Sequence, residues 1–529
     1  MSDSFSAPLA ARLEAAVSAL PARFPGPGGA VAVLKDGEVL VRHGWGYANV
    51  ERRIPFTPST LFRMCSITKQ FTCATLLDLY DHPSELDADV DARLPQLDEP
   101  SPGMLHLAHN QSGLRDYWAV AMLHGAPIEG YFGDREARRV IDGTRTLQFQ
   151  PGTSYSYVNQ NFRLISDILQ DRTGRSFAEL LQTSIFNPVG MERAILAAET
   201  RAMPDGTVGY EGTVESGFRP AVNNIWWTGD AGLGASLDDM IAWERFIDAT
   251  RETPGSLYRR LTMPVTFSNG QPAPYGFGLQ RTTMFGRDVT MHGGALRGWR
   301  SHRLHVASER LSVVVMFNHM NAAQVASAQI LAAALGVPYE PERSTQQPTA
   351  LYGTYLERET GLSARIEPAP GGAKLRYLMV PELLEGISAT RAEAGAVVVK
   401  TQETADGPEA VMERPGENRT DILARCDETP GEDIAELAGV YRCEELDEAE
   451  VTIELAGGVV YGGFSGILGD GRMEMLQRLA KDVWVLPCPR ALDHTAPGDW
   501  TLAFERQGGS VTAVRVGCWL ARDLMYQRV

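Results

Sequence analysis

Ser66-Ile67-Thr68-Lys69 sets a hydroxyl and an amine three residues apart. On a helix that spacing puts both on one face, one turn apart. Amide hydrolysis needs a nucleophile whose hydroxyl proton can be removed. A neutral lysine can remove it, and a helix N-terminus or burial disfavours the charged amine. By itself the motif is weak, because Ser-x-x-Lys occurs by chance and usually ends in an exposed lysine. A second group is Tyr157-Val158-Asn159, preceded by the turn signal Pro151-Gly152. Tyr157 has the chemistry to pass the serine proton to a leaving group, and Asn159 can donate to a substrate carbonyl. Read alone, Tyr157 is equally a core aromatic with a satisfied hydroxyl. The third is His292-Gly293-Gly294. The glycines permit close approach of a substrate backbone, and the histidine offers a group that titrates near neutral pH. The commoner fate of such a triplet is an exposed loop.

These residues need elements to carry them. Ile67, Phe71, Ala74 and Leu77 recur at helical spacing, predicting a helix from Ser66 to Leu79. A second helix is predicted over Phe162 to Leu169. A third follows Ser236-Leu237-Asp238-Asp239, which reads as a capping box. Ala30 to Val41 reads as a hairpin turning at Lys35-Asp36-Gly37. Strands are predicted at 275–280, 289–291, 303–306 and 311–317. Strands at both ends of a helical middle predict an α/β or α+β domain ending near residue 335.

The composition excludes other classes. A length of 529 residues requires several domains. A net charge of -17 argues against nucleic acid and anionic membranes. No segment reads as a signal peptide or a membrane span, which predicts a cytoplasmic location. The six cysteines form no CxxC pair, and the ten histidines show no metal-ligand spacing, so no metal or cofactor is expected. Cys65 and Cys73 read as small buried hydrophobes.

Past the Pro-rich stretch 338–348 the pattern becomes short β segments between turns. Leu351-Tyr352-Gly353-Thr354-Tyr355 is echoed by Leu437-Ala438-Gly439-Val440-Tyr441, and each copy leads into a β-patterned segment. Two related β domains account for that repeat, with a second linker at 427–433.

Taken in order, Ser-x-x-Lys, Tyr-x-Asn and His-x-Gly resemble the serine β-lactamase and penicillin-binding protein superfamily. Gln148-Phe149-Gln150-Pro151-Gly152 and the stretch 229–236 match its style. His292 stands where many members carry Lys-Thr-Gly, which weakens a C-terminal carboxylate as the recognition handle. His109-Asn110-Gln111-Ser112-Gly113-Leu114 is assigned a structural role only. Within the superfamily the chain is most similar to the D-aminopeptidase family, over its whole length. That resemblance implies a penicillin-binding-protein-like α/β (α+β) catalytic domain (1–337). Two antiparallel eight-stranded β-barrels (349–426 and 434–529) would follow. It implies an acyl-enzyme on Ser66, with Lys69 and Tyr157 sharing the proton work. The oxyanion hole would be the N–H groups of Ser66 and Ala295, with Asn159, His292 and Gly294 orienting substrate or the tyrosine.

The same resemblance implies that a loop of the last barrel, 489–499 here, narrows the cleft and meets the substrate's free amine. A carboxylate is the natural partner of an ammonium, which singles out Asp493, with Asp499 second. The implied substrates are peptides, amides or esters with a small N-terminal D-residue. β-Lactams are the implied inhibitors and a homodimer the implied assembly. An esterase, a D,D-carboxypeptidase, a β-lactamase or a non-catalytic peptide binder are the competing readings. Which of Lys69 and Tyr157 is the base stays open, since the two would titrate together.

Overall fold

Gly28–Lys35 (β1) is buried on both faces, and its alternation explains how. Val31 and Val33 join one core while Ala30, Ala32 and Leu34 join another. Successive strand residues point to opposite faces, so a strand between two layers must be apolar throughout. The computed structural model describes residues 8–339, 344–404, 407–428, 434–488 and 498–529.

The hairpin partner of β1 is Glu38–Asn49 (β2). Asp36 and Gly37, at φ 56° and 80°, make the predicted tight turn. The later strands are Leu279–Met284 (β3), Arg287–Leu296 (β4), Trp299–Val306 (β5) and Leu311–Phe317 (β6). The sheet order is β3-β4-β5-β6-β1-β2, all antiparallel, with short pieces at each edge. The predicted strand 275–280 is broken, because Phe277 and Gly278 take left-handed φ of 50° and 71°. That turn is imposed by tertiary packing: a Cβ on Gly278 would overlap the backbone of Lys69 and Gln70.

The helices that position the site are Leu9–Ser18 (α1), Thr68–Leu79 (α2), Asn159–Thr173 (α3), Leu237–Thr250 (α4) and Ala323–Leu335 (α5). Leu13 and Val17 of α1 and Ile330 and Leu331 of α5 cover one sheet face. α4 lies on the other and starts as predicted: Ser236 Oγ accepts from Asp239 N at 3.1 Å, and Asp239 Oδ2 accepts from Ser236 N at 2.8 Å. It is tied to the sheet by an ion pair in which both side chains are 0% exposed. Arg303 of β5 donates twice to Glu244 of α4, each at 2.7 Å, and Ser312 Oγ adds a third bond at 2.7 Å. Arg303 lies directly opposite His292 in the β4–β5 ladder.

Beyond the linker, eight antiparallel strands from Gly353–Glu357 to Arg419–Arg425 close into a barrel. The strands from Gly439–Cys443 to Ala521–Arg528 form a ten-stranded sheet whose two ends meet in one stretch: Glu474–Met475 pairs with Val459–Gly466, Leu476 N donates to Val460 O at 2.8 Å, and Gln477–Ala480 pairs with Val483–Leu486. That stretch links the ends of the sheet, in keeping with the expected second antiparallel β unit. The sequence echo has a structural counterpart. Tyr355 OH donates to Leu351 O at 2.9 Å, and Tyr441 OH donates to Leu437 O at 2.8 Å. Arg425 and Arg528 lie over the respective rings.

Removing the Glu244 carboxylate leaves the Arg303 guanidinium buried without its partner. Glu244→Ala should cost about 3–5 kcal/mol, seen as a lower midpoint in denaturant titration of the full chain.

Candidate active site

Ser66 lies in the short 3₁₀ turn Cys65–Ile67 that feeds into α2. In such a turn residues i and i+3 stack directly, and Lys69 Nζ lies 3.1 Å from Ser66 Oγ. The turn is strained at its first residue, because Cys65 takes a left-handed φ of 51°. Its neighbours leave no room to relax. Met64 N donates to Leu233 O at 2.9 Å. Met64 O accepts from Ser301 Oγ at 3.0 Å. Arg63 is buried and reaches Ala197 O and Ala202 O.

Lys69 is 0% exposed. Besides Ser66, its Nζ donates to Asn159 Oδ1 at 2.8 Å and to Asp230 O at 2.7 Å. Three acceptors match the three protons of an ammonium. Tyr157 presents its ring face to the same nitrogen, 4.9 Å from the centroid. Ser66, Lys69, Tyr157 and Asn159 are thus assembled at one point from two segments far apart in sequence.

Asn159 is held by a residue that the motifs did not reveal. Asp116 is buried and accepts from Asn159 N at 2.7 Å and Asn159 Nδ2 at 2.9 Å. Because Nδ2 is taken, Oδ1 is turned to Lys69. Asp116 also caps the helix Tyr117–Leu123 through Trp118 N and Ala119 N. Burial pushes its carboxyl above the ordinary range, against those hydrogen bonds. Its one sequence signal was an aspartate just ahead of an apolar run, the place of a helix N-cap. Asp230 serves through its carbonyl. Its side chain fixes the loop by accepting from Tyr117 OH at 2.7 Å and Thr228 N at 3.0 Å. Asn110, in the stretch assigned a structural role, accepts from Ser156 N with its carbonyl and from Asn161 Nδ2 with its side chain.

His292 differs from expectation. Its Nδ1 is 2.6 Å from Gly293 O, and a carbonyl only accepts, so Nδ1 carries the proton. Nε2 then accepts from Tyr275 OH at 3.0 Å. Burial, and next the Lys69 charge, push its pKa down to about 3. The ring is a neutral wall, 6.3 Å from the Tyr157 ring, rather than a group that titrates near neutrality. Gly294 is required by close approach, since a Cβ there would overlap Met64 O and Ser301 Oγ. Among the described residues β3 pairs with β4 only as far as Met291. The edge that continues through Gly294 and Ala295 therefore faces the Ser66 turn. Asp493 lies outside the described residues. Asp499 is described and is paired with Arg365 of the barrel at 3.4 Å.

A family model described as beta-lactamase matches residues 13–337. A second, described as D-aminopeptidase, domain B, matches residues 344–527. A D-aminopeptidase of Gluconobacter oxydans is 96% identical over 529 residues, covering 100% of both chains. The chain belongs to the D-aminopeptidase family. A D-aminopeptidase of Brucella canis is 45% identical over 520 residues, 98% of each chain. In fold, the chain is similar to an octameric penicillin-binding protein homologue from Pyrococcus abyssi. There the TM-score is 0.54 and the identity 21%, covering 78% of this chain and 99% of that one. No helix among the described residues is long and apolar enough to cross a membrane.

Gly294→Ala should push β4 away from Met64. A displacement near 1 Å at the reacting groups corresponds to roughly a 100-fold loss of kcat/KM, measurable by steady-state kinetics. Several histidines besides His292 are held neutral by burial. The pKa values of His109, His302 and His319 also fall to about 3. Their folded values lie below the unfolded one, so the unfolded chain binds more protons at acid pH. Stability should be full above about pH 6.5 and fall as pH drops towards 3. Thermal melts across that range, with proton uptake on unfolding, would check this.

Proposed function

We propose that this serine hydrolase releases an unblocked, small, D-alanine-like N-terminal residue from peptides, amides and esters through an acyl-enzyme. The observation that carries the chemistry is the contact of buried Lys69 with Ser66 Oγ. The specificity rests on membership of the D-aminopeptidase family.

Ser66 attacks the scissile carbonyl, and its proton is taken by the coupled Lys69–Tyr157 pair, one member of which, amine or phenolate, is deprotonated for the attack. The N–H groups of Ser66 and Ala295 stabilise the oxyanion. The free edge of β4 offers main-chain groups to an extended substrate. Tyr157 hands the proton to the leaving amine, then takes one from the water that cleaves the acyl-enzyme. Asn159 holds Lys69 and orients the substrate. His292 fills the wall behind Tyr157 as a neutral ring.

Asp493 is the proposed partner of the substrate ammonium, on the strength of the sequence alone, while Asp499 is already committed to Arg365. The proposed division into units is 1–337, 349–426 and 434–529. β-Lactams as inhibitors, a homodimer and a cytoplasmic location complete the proposal, all three from the sequence reading.

Paired D-alanine and L-alanine p-nitroanilides test this with wild type and Ser66→Ala. Turnover of the D-form alone, lost in the variant by a factor of about 10³ or more, is the expected result. An active Ser66→Ala protein would falsify the nucleophile, and equal turnover of both forms would sink the stereospecific reading.

A further inference from the structure

The turn Pro415–Glu417 joins two strands of the closed barrel, Gly407–Arg414 and Arg419–Arg425. Glu417 is 5% exposed. Its carboxylate accepts from Arg414 Nε at 2.6 Å within the barrel. It also accepts from Trp519 Nε1 at 3.2 Å, in the turn between Ser510–Cys518 and Ala521–Arg528, and from Arg522 Nη2 at 3.3 Å, in the second of those strands. The carbonyl of the same residue faces the catalytic domain, accepting from Ser154 Oγ at 2.6 Å and Tyr155 N at 3.2 Å. Asn418 Nδ2 adds a bond to Thr153 O at 2.8 Å. The segment so held leads within two residues to Tyr157.

A second route runs from the turn at Trp519 and Leu520 between Ser510–Cys518 and Ala521–Arg528. Leu520 O accepts from Asp116 N at 2.9 Å, and Asp116 sets Asn159. A contact needing only stability is well served by apolar packing, whereas a buried carboxylate shared by several donors is costly and geometrically selective. Here it joins three parts of the chain at one residue, next to the segment where proton transfer demands accurate placement.

We propose that Glu417 is a positioning residue that sets Tyr157 against Lys69 by clamping the barrel and the last sheet onto the Ser154–Tyr155 backbone. The two C-terminal units thereby complete the catalytic geometry of the first, apart from any loop that enters the cleft. This rests on the assignment of Tyr157 to proton transfer.

The test compares full-length wild type, Glu417→Gln and the milder Asn418→Gly. Glycine keeps the left-handed φ of 56° at 418 and removes the two side-chain ties, to Thr153 O and from Asn269 Nδ2. Two readouts are taken: kcat and KM on D-alanine p-nitroanilide, and the rate at which a fluorophosphonate modifies Ser66. Circular dichroism and melting report the fold. Misplacement of Tyr157 should lower kcat about tenfold in Glu417→Gln and about threefold in Asn418→Gly. KM should stay within about threefold, and the labelling rates should fall in parallel. A folded Glu417→Gln protein with wild-type kcat and labelling rate overturns the proposal, as does a rise in KM that accounts for the whole loss. Should Glu417→Gln not fold, Asn418→Gly decides alone, wild-type rates overturning and lowered rates supporting. Should wild type label but not cleave the anilide, the substrate assignment has failed, and the labelling rates still decide the role of Glu417.

Discussion

An ammonium group cut off from water must find three acceptors, and Lys69 finds them on three separate segments. Ser66 comes from the 3₁₀ turn, Asn159 from the start of α3, and Asp230 from the loop between α3 and α4. Desolvating a charge without such partners costs several kcal/mol or more. The three segments are therefore bound to one geometry, and each is locked again from behind. The left-handed Cys65 is pinned by Met64 and Arg63, Asn159 by Asp116, and the Asp230 loop by Tyr117. The site is accurate because its supports are over-determined.

The sheet plays a more distant part. Arg303 and Glu244 join β5 to α4 in the core beneath His292. Gly294 lets the neighbouring β4 press on the turn that carries Ser66. His292, read from sequence as a titrating group, is instead a neutral wall, because burial and the nearby lysine charge both oppose its protonation. The structure brings the ring beside Tyr157, and its burial there opposes the charge expected near neutral pH. A charge state depends on what surrounds a ring, which adjacent residues do not specify.

Much of the scaffold was legible in local pattern. The β1–β2 hairpin, the Ser236 cap of α4 and the strand 311–317 follow from rules that act over a few residues. So did the pairing of Leu351–Tyr355 with Leu437–Tyr441, whose tyrosines make the same hydrogen bond in both units. Long-range features escaped that reading. The break at Phe277 and Gly278 exists because the chain must clear the backbone of Lys69. In the second β unit one stretch, 474–480, pairs with Val459–Gly466 through its first residues and with Val483–Leu486 through its last, a junction that the five-residue echo does not specify.

By itself the sequence singled out the candidate groups. Ser66, Lys69, Tyr157 and Asn159 are named by type, spacing and order, since hydrolysis demands those groups and a helix turn supplies the spacing. Only the tertiary structure decided what holds them. Asp116, Tyr275 and Glu417 act across 43, 17 and 263 residues of chain on Asn159, His292 and Ser154. No local signal marks a partner at that distance. Buried polar groups must be paired, and which partner is within reach is settled only when the chain has folded.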